Sequence, residues 1–165
     1  MDKSIIKSKI ENANTALGIE LGSTRIKAVL VTDDYQVVAS GDFVWENELR
    51  NNIWTYPIEK VWNGIQTGYA NMAASVNEQY GIQLTKIGSI GISAMMHGYM
   101  PFDNSGNLLV PFRTWRNNIT GEAAEKLTKL FDFNIPERWS IAHLYQAILN
   151  HEDHVKQIDF ITTLD

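Results

Sequence analysis

The chain has 165 residues, of which 44% are hydrophobic and 20% charged, and a formal net charge of -5. That length suits one domain and that balance suits a packed core. The absence of cysteine excludes disulfides and thiolate metal sites, no basic stretch points to nucleic acid or an anionic membrane, and no apolar run approaches the roughly 18 residues of a membrane span.

The leader, MDKSIIKSKIENANT, carries one Ile pair between polar residues and so lacks the apolar core of a signal peptide. Residues 1–14 read as a partly ordered tail, residues 15–165 as one domain, and the protein as cytoplasmic. The stretch LGIELGSTRIKAVLV follows, at residues 17–31. Ile26, Ala28 and Leu30 alternate with Lys27, Val29 and Val31, which favours a strand after the turn rather than a helix. A Walker-type loop needs GxxxxGK followed by Ser or Thr, and a dinucleotide fold needs GxGxxG opening a helix; both are absent. What remains is a β-hairpin whose turn, Gly22-Ser23-Thr24, offers backbone N–H groups and two hydroxyls to an anion. Glu20, just ahead of it, is a carboxylate able to hold Mg²⁺ directly or through water. The same residues also suit an ordinary hairpin with a polar turn.

Residues 32–35 form a turn by composition, and residues 37–44 a third strand, giving an antiparallel meander. Residues 45–52 are polar and read as a loop. Pro57 suits the start of a helix and Gly81 the position just past its end. Between them Val61, Ile65, Tyr69, Met72, Val76 and Tyr80 mark one buried helical face. KIGSIGIS, residues 86–93, reads as a buried strand, because Ile87, Ile90 and Ile92 leave little room for an exposed face. Short strands at 98–102 and 108–112 flank the turn Asp103-Asn104-Ser105-Gly106. Thr120 can cap a helix with Ala123, Leu127 and Leu130 on its inner face. Past Pro136, Ile141, Leu144, Tyr145, Ile148 and Leu149 form another helical stripe, and residues 158–164 are strand-like. His143, His151 and His154 lack metal-ligand spacing and read as surface or packing residues.

This order suits an α/β layer with a mixed sheet, and two motifs make the likeness specific. LGIELGSTRIKAVLV resembles the opening phosphate motif of the FGGY carbohydrate kinases, commonly LGIDLGTTxxKAVLV. IGSIGISAMMHGYMPFDNSGNLLVPFRTWRNN resembles their second N-terminal signature, of the form GISGQMHGxxxxDxxGxxLxPxxxWxDxR. With the helix expected between them over residues 57–80, where the family has one, they cover most of residues 16–118 in the family's order, and point to its xylulokinase-like branch. The resemblance implies a ribonuclease-H-like, actin-like ATPase fold: a mixed sheet with flanking helices, here as an incomplete N-terminal lobe.

It also implies roles. Gly22, Ser23 and Thr24 would approach the β- and γ-phosphates of ATP, Lys27 would assist in neutralising them, and Glu20 would organise Mg²⁺ where the family usually has Asp. The extra methylene of Glu20 favours a contact through water. Arg25 points to solvent. Met96, His97 and Trp115 would touch a ketopentose or related sugar, and Gly98 would leave room for it. Arg116-Asn117-Asn118 lacks the Asp of the family's signature. No other matched carboxylate stands as a catalytic base, so the base is expected beyond residue 165. The chain alone is then expected to be inactive, and its unpaired sheet edge to favour a homodimer or higher self-association. The alternative is a non-catalytic nucleotide-binding or interaction module on an actin-like fold.

Overall fold

The structure is a computed structural model and describes residues 2–165. In chain order the elements are α1 (Lys3–Glu11), β1 (Thr15–Leu21), β2 (Arg25–Thr32), β3 (Val37–Val44), β4 (Glu48–Arg50), β5 (Ile53–Thr55) and α2 (Ile58–Tyr80). They continue as β6 (Ser89–Ala94), β7 (Gly98–Phe102), β8 (Arg113–Thr114), α3 (Gly121–Phe131), α4 (Ser140–Leu149), a 3-10 turn (Asp153–Gln157) and β9 (Phe160–Thr162). They fall into two compact units: the residues up to Glu46 with Glu59–Ala94, and Asn47–Ile58 with Met95–Asp165. Among the described residues no helix is long and apolar enough to cross a membrane.

The first unit is a four-stranded mixed sheet in the order β3-β2-β1-β6. β1 and β2 are antiparallel with Leu21 opposite Ile26, so the hairpin expected from the sequence closes at Gly22-Ser23-Thr24. β6 runs parallel to β1. The alternation read from β2 holds, with Ile26, Ala28 and Leu30 buried and Arg25 and Lys27 exposed. The buried faces of sheet and α2 share a core that includes Leu17, Leu30, Val38, Met72 and Val76. Full burial of such a side chain stabilises by roughly 1.5–3 kcal/mol. α2 begins directly after Pro57 and ends directly before Gly81, whose φ is +67°.

On α2 the inner face differs in its middle from the expected stripe. Gly64 and Gly68 are buried, while Ile65 and Tyr69 are half-buried. The helix lies against the sheet by way of glycines: a Cβ on Gly41 of β3 would come within 2.3 Å of the Gly68 carbonyl oxygen and the Met72 nitrogen. The leader, read as partly ordered, carries α1: Asp2 caps it through Ser4, and Ile6 and Ile10 enter the core. One further expectation needs correction. β6 is not buried; it is the edge strand of its sheet, and Ile90 and Ile92 are 62% and 64% exposed.

In the second unit β7 is the central strand, antiparallel to β8 and β9. The Asp103 turn forms as read: its carboxylate accepts from the Ser105 and Asn107 nitrogens at 2.9 and 2.8 Å, and Gly106 has φ +79°. The expected return strand over residues 108–112 shrinks to one bridge, Phe102 to Leu108, and pairing resumes only at β8. Residues 45–52 are not all loop, since β4 and β5 make a hairpin. Asn51 and Asn52 at its turn have φ of 49° and 63°, the positive values that a two-residue turn of primed type requires.

The inner face of α3 holds at Ala123 and Leu127, but Leu130 is 74% exposed and Ala124 is buried in its place. The inner face of α4 is rotated from expectation. On α4 the buried residues are Ala142, His143, Gln146 and Ala147. The polar pair is there for stated reasons. Gln146 Oε1 accepts from the Ala123 nitrogen at 3.1 Å, satisfying a donor in the first turn of α3. His143 lies flat against Tyr99, with ring centroids 6.0 Å apart.

Candidate functional site

In the first unit, Glu20, Gly22, Ser23, Thr24, Arg25 and Lys27 line one cleft of about 340 Å³. Strand pairing explains how they meet: Glu20 and Lys27 are direct cross-strand partners, and the turn follows one residue after Leu21. The turn is tight. The Gly22 nitrogen donates to the Arg25 carbonyl at 3.0 Å, and a Cβ on Gly22 would lie 2.9 Å from that oxygen. Trp45, 4% exposed, braces it from β3's end: its Nε1 donates to the Gly22 carbonyl at 2.8 Å and its backbone nitrogen to the Thr24 carbonyl at 3.2 Å. The sequence reading left Trp45 in a loop. A large aromatic directly after a strand that pairs with the hairpin was the available signal.

Charge in this cleft is mixed. Arg25 does not simply point to solvent, because its Nε reaches Asp42 at 3.2 Å, an exposed pair worth at most about 1 kcal/mol. Among the described residues, no group of three or more His, Asp or Glu could hold a metal ion. The cleft still suits a hard cation that keeps several waters, since it combines the Glu20 carboxylate with the Ser23 and Thr24 hydroxyls.

In the second unit, Met96, His97, Trp139, Ser140 and Ile141 line a cleft of about 290 Å³. Met96 and His97 arrive on the approach to β7, and the other three on the start of α4. Burial, aided by the charge of Arg138, lowers the His97 pKa. The ring is therefore neutral at pH 7, with one nitrogen donating and one accepting. Gly98 does not serve to leave space: its φ is +148° and a Cβ would lie 2.3 Å from Phe112 Cε2. Glycine is required there by packing and backbone. The Ser140 hydroxyl donates to the Gly98 carbonyl at 2.5 Å.

Trp115 is not among the residues lining this cleft; it is 44% exposed in the turn after β8. The aromatic wall is Trp139, which the sequence reading did not single out. Its signal was a Trp between Pro136 and the helical stripe. The departure Arg116-Asn117-Asn118 has a structural use. Asn117 exchanges two 2.8 Å hydrogen bonds with the Trp54 backbone, and the Arg116 guanidinium stacks 4.0 Å from the Trp54 ring centre.

Beside β7 lies a buried polar cluster. Arg113 pairs with Glu152, the Tyr99 hydroxyl bonds His154 Nε2 at 2.8 Å, and Arg113 also stacks on Tyr99. Burial pushes the Tyr99 pKa up to about 12. His143 is fully buried, neither ring nitrogen has a partner, and burial pushes its pKa down to about 4. His143 thus serves packing, His154 is buried and bonded to Tyr99, and His151 is exposed.

Among solved structures the chain is similar to a xylulose kinase from Brucella ovis, with TM-score 0.75 and 17% identity, covering 89% of this chain and 32% of that one. It is similar to a xylulose kinase from Rhodospirillum rubrum, with TM-score 0.75 and 16% identity over 90% and 32% of the two chains. It is also similar to a gluconate kinase from Lactobacillus acidophilus, with TM-score 0.71 and 18% identity over 89% and 30%. The chain thus spans about a third of the length of these neighbours, and at such identity the likeness shows the fold alone. No curated protein matches its sequence. The model of the N-terminal domain of the FGGY family of carbohydrate kinases matches residues 15–147. With the match spanning most of the chain, this protein belongs to the FGGY family of carbohydrate kinases, in its N-terminal domain.

Proposed function

We propose that this chain supplies the phosphate turn and part of the sugar wall of an ATP-dependent kinase that transfers the γ-phosphate to a hydroxyl of a ketopentose or related sugar. The observation carrying the phosphate half is the cleft that gathers Glu20, Gly22, Ser23, Thr24 and Lys27 around a hairpin turn. Phosphoryl transfer depends on positioning and charge neutralisation more than on covalent help. Gly22 lets the backbone come close to phosphate oxygens, Ser23 and Thr24 donate hydroxyl hydrogen bonds, and Lys27 adds a positive charge. Mg²⁺, when bound, neutralises charge between the phosphates, and Glu20 would hold it through water.

For the sugar half, His97 at the wall of a 290 Å³ cleft offers a donor or an acceptor to a sugar hydroxyl, with Met96 and Trp139 as apolar surfaces beside it. Trp115 remains a second candidate, by its match to the family signature. Neighbours named as xylulose kinases support a pentulose; the gluconate kinase keeps related sugars in view. The open edge and exposed isoleucines of β6 support self-association.

The experiment is ADP release across a panel of ketopentoses, sugar acids and polyols, made on the kinase that contains this domain. Sugar-stimulated release is expected, and His97→Ala should lower kcat/KM for the best sugar by about ten- to a hundredfold, the worth of one or two good hydrogen bonds. ATP consumption indifferent to every sugar would favour the non-catalytic nucleotide-binding module instead.

A further inference from the structure

The sugar cleft contains one hydroxyl whose orientation is already decided. Ser140 lines the cleft beside His97, and it is the first residue of α4. A serine near a helix start commonly spends its side chain on capping. Here it does not: the cap position is Trp139, and no side-chain cap bond forms. The Ser140 Oγ instead donates across 42 positions of sequence to the Gly98 carbonyl, at 2.5 Å. A hydroxyl has one proton and two lone pairs. With the proton committed to Gly98, what Ser140 presents to the cleft is an acceptor only.

The bond has a second consequence. Gly98 follows His97 directly and is fixed from its other side by Phe112, which leaves no room even for a Cβ. Gly98 is therefore held at its carbonyl by α4 and hemmed in at its α-carbon by Phe112. His97 is one peptide away from that anchor, and Trp139 is one peptide away on the helix side.

Resting on the sugar-kinase reading above, we propose that Ser140 is a specificity-determining residue of the sugar cleft. It is an oriented acceptor for one sugar hydroxyl, and its bond to Gly98 holds His97 and α4 in register for that contact. The site then requires a hydroxyl donor at one sugar carbon. A sugar with hydrogen or a carbonyl at that carbon leaves the Ser140 lone pairs unpaired.

The test pairs two variants of equal shape in the full chain, Ser140→Thr, which keeps the hydroxyl, and Ser140→Val, which lacks it. Thermal melts of both establish that the fold is retained. Binding of D-xylulose, L-ribulose and D-gluconate is measured by chemical-shift titration, followed by monodeoxy analogues of the best binder. Ser140→Thr should bind within about twofold of the unmodified chain, and Ser140→Val about tenfold more weakly, one hydrogen bond's worth. One monodeoxy analogue should lose about tenfold on the unmodified chain and nothing further on Ser140→Val, the non-additivity expected of a direct contact. A purely structural serine would weaken all analogues equally. Equal binding to the Thr and Val variants, or additive losses for every analogue, overturns the role of Ser140 while leaving the kinase reading intact. Binding of none of the three sugars overturns that reading, and this inference with it.

Discussion

Acid should destabilise this protein through His143, and the size of the effect follows from its surroundings. The ring is fully buried on α4 against Tyr99, with Arg113 and Glu152 as the charged groups acting on it. Burial, with the Arg113 charge adding to it, sets its folded pKa at about 4 against the ordinary 6.5. As pH falls through 6.5 the unfolded chain takes up a proton at this position, and the folded chain does not until about pH 4. The unfolded state binds more protons across that window, so stability falls as pH falls. A difference of about 2.5 units is worth about 3 kcal/mol. Burial also lowers the His154 pKa, which acts in the same direction. Burial opposes ionisation of Glu152, but Arg113 outweighs it and holds that carboxylate below its usual range. Its contribution is lost only in more acid solution.

His143→Phe isolates the effect. Neither ring nitrogen has a hydrogen-bond partner to lose, and phenylalanine keeps an apolar ring against Tyr99. Urea unfolding at a series of pH values from 7.5 to 4 gives the free energies. The unmodified chain should lose about 3 kcal/mol more than the variant over that range, nearly all of it below pH 6.5. Parallel pH profiles for the two proteins would refute the reasoning, because they would mean that His143 is protonated without cost in the folded state.

Two further predictions test the first unit. Gly41→Ala should lower stability by about 2–3 kcal/mol in urea unfolding, because its Cβ would meet backbone atoms of α2 at 2.3 Å, and backbone yields less readily than a side-chain tip; an unchanged midpoint would show that α2 does not pack this closely. In the kinase that contains this domain, Glu20→Gln should lose most Mg²⁺-dependent ATP turnover while Glu20→Asp retains or increases it, and equal turnover of Glu20→Gln and the unmodified enzyme would remove Glu20 from the metal.

Much of the first unit was legible because its signals are local and periodic. The alternation through Ile26, Ala28 and Leu30 set the second strand of the hairpin, and Pro57 and Gly81 bracketed α2. The glycines at 64 and 68 were not legible as packing positions, because their use depends on Gly41, distant in sequence. Ile6 and Ile10 of α1 are four residues apart and so share a helical face, but two apolar residues in a polar leader do not announce a core contact. The burial of β6 was misjudged for a related reason: an apolar run shows what a strand tolerates on both faces, not which neighbours cover them. In the second unit the short hairpin β4–β5 depended on Asn51-Asn52, a turn less distinctive than Asn-Gly. The inner face of α4 is not legible from its bulky apolar residues, because it includes His143 and Gln146, whose burial rests on Tyr99 and the start of α3.

At the candidate site, the turn Gly22-Ser23-Thr24 was readable as a contiguous motif. The cleft beside His97 was half readable. Met96 and His97 lie in a motif, whereas Trp139, Ser140 and Ile141 reach the same cleft from about forty residues downstream, where the local pattern marks a helix and its start but no ligand contact.

The most direct measurement is residue-resolved amide NMR of this chain titrated separately with ATP and with the panel sugars. The account predicts that ATP with Mg²⁺ shifts the amides of Glu20, Gly22, Ser23, Thr24 and Lys27, weakly and without saturation below the millimolar range, as a few charge-assisted contacts imply. It predicts that at least one sugar shifts Met96, His97, Ser140 and Ile141 while leaving the phosphate turn unmoved. Shifts confined to other surfaces, or none with any sugar or with ATP, would contradict the claim that these two clefts hold the substrates of a carbohydrate kinase.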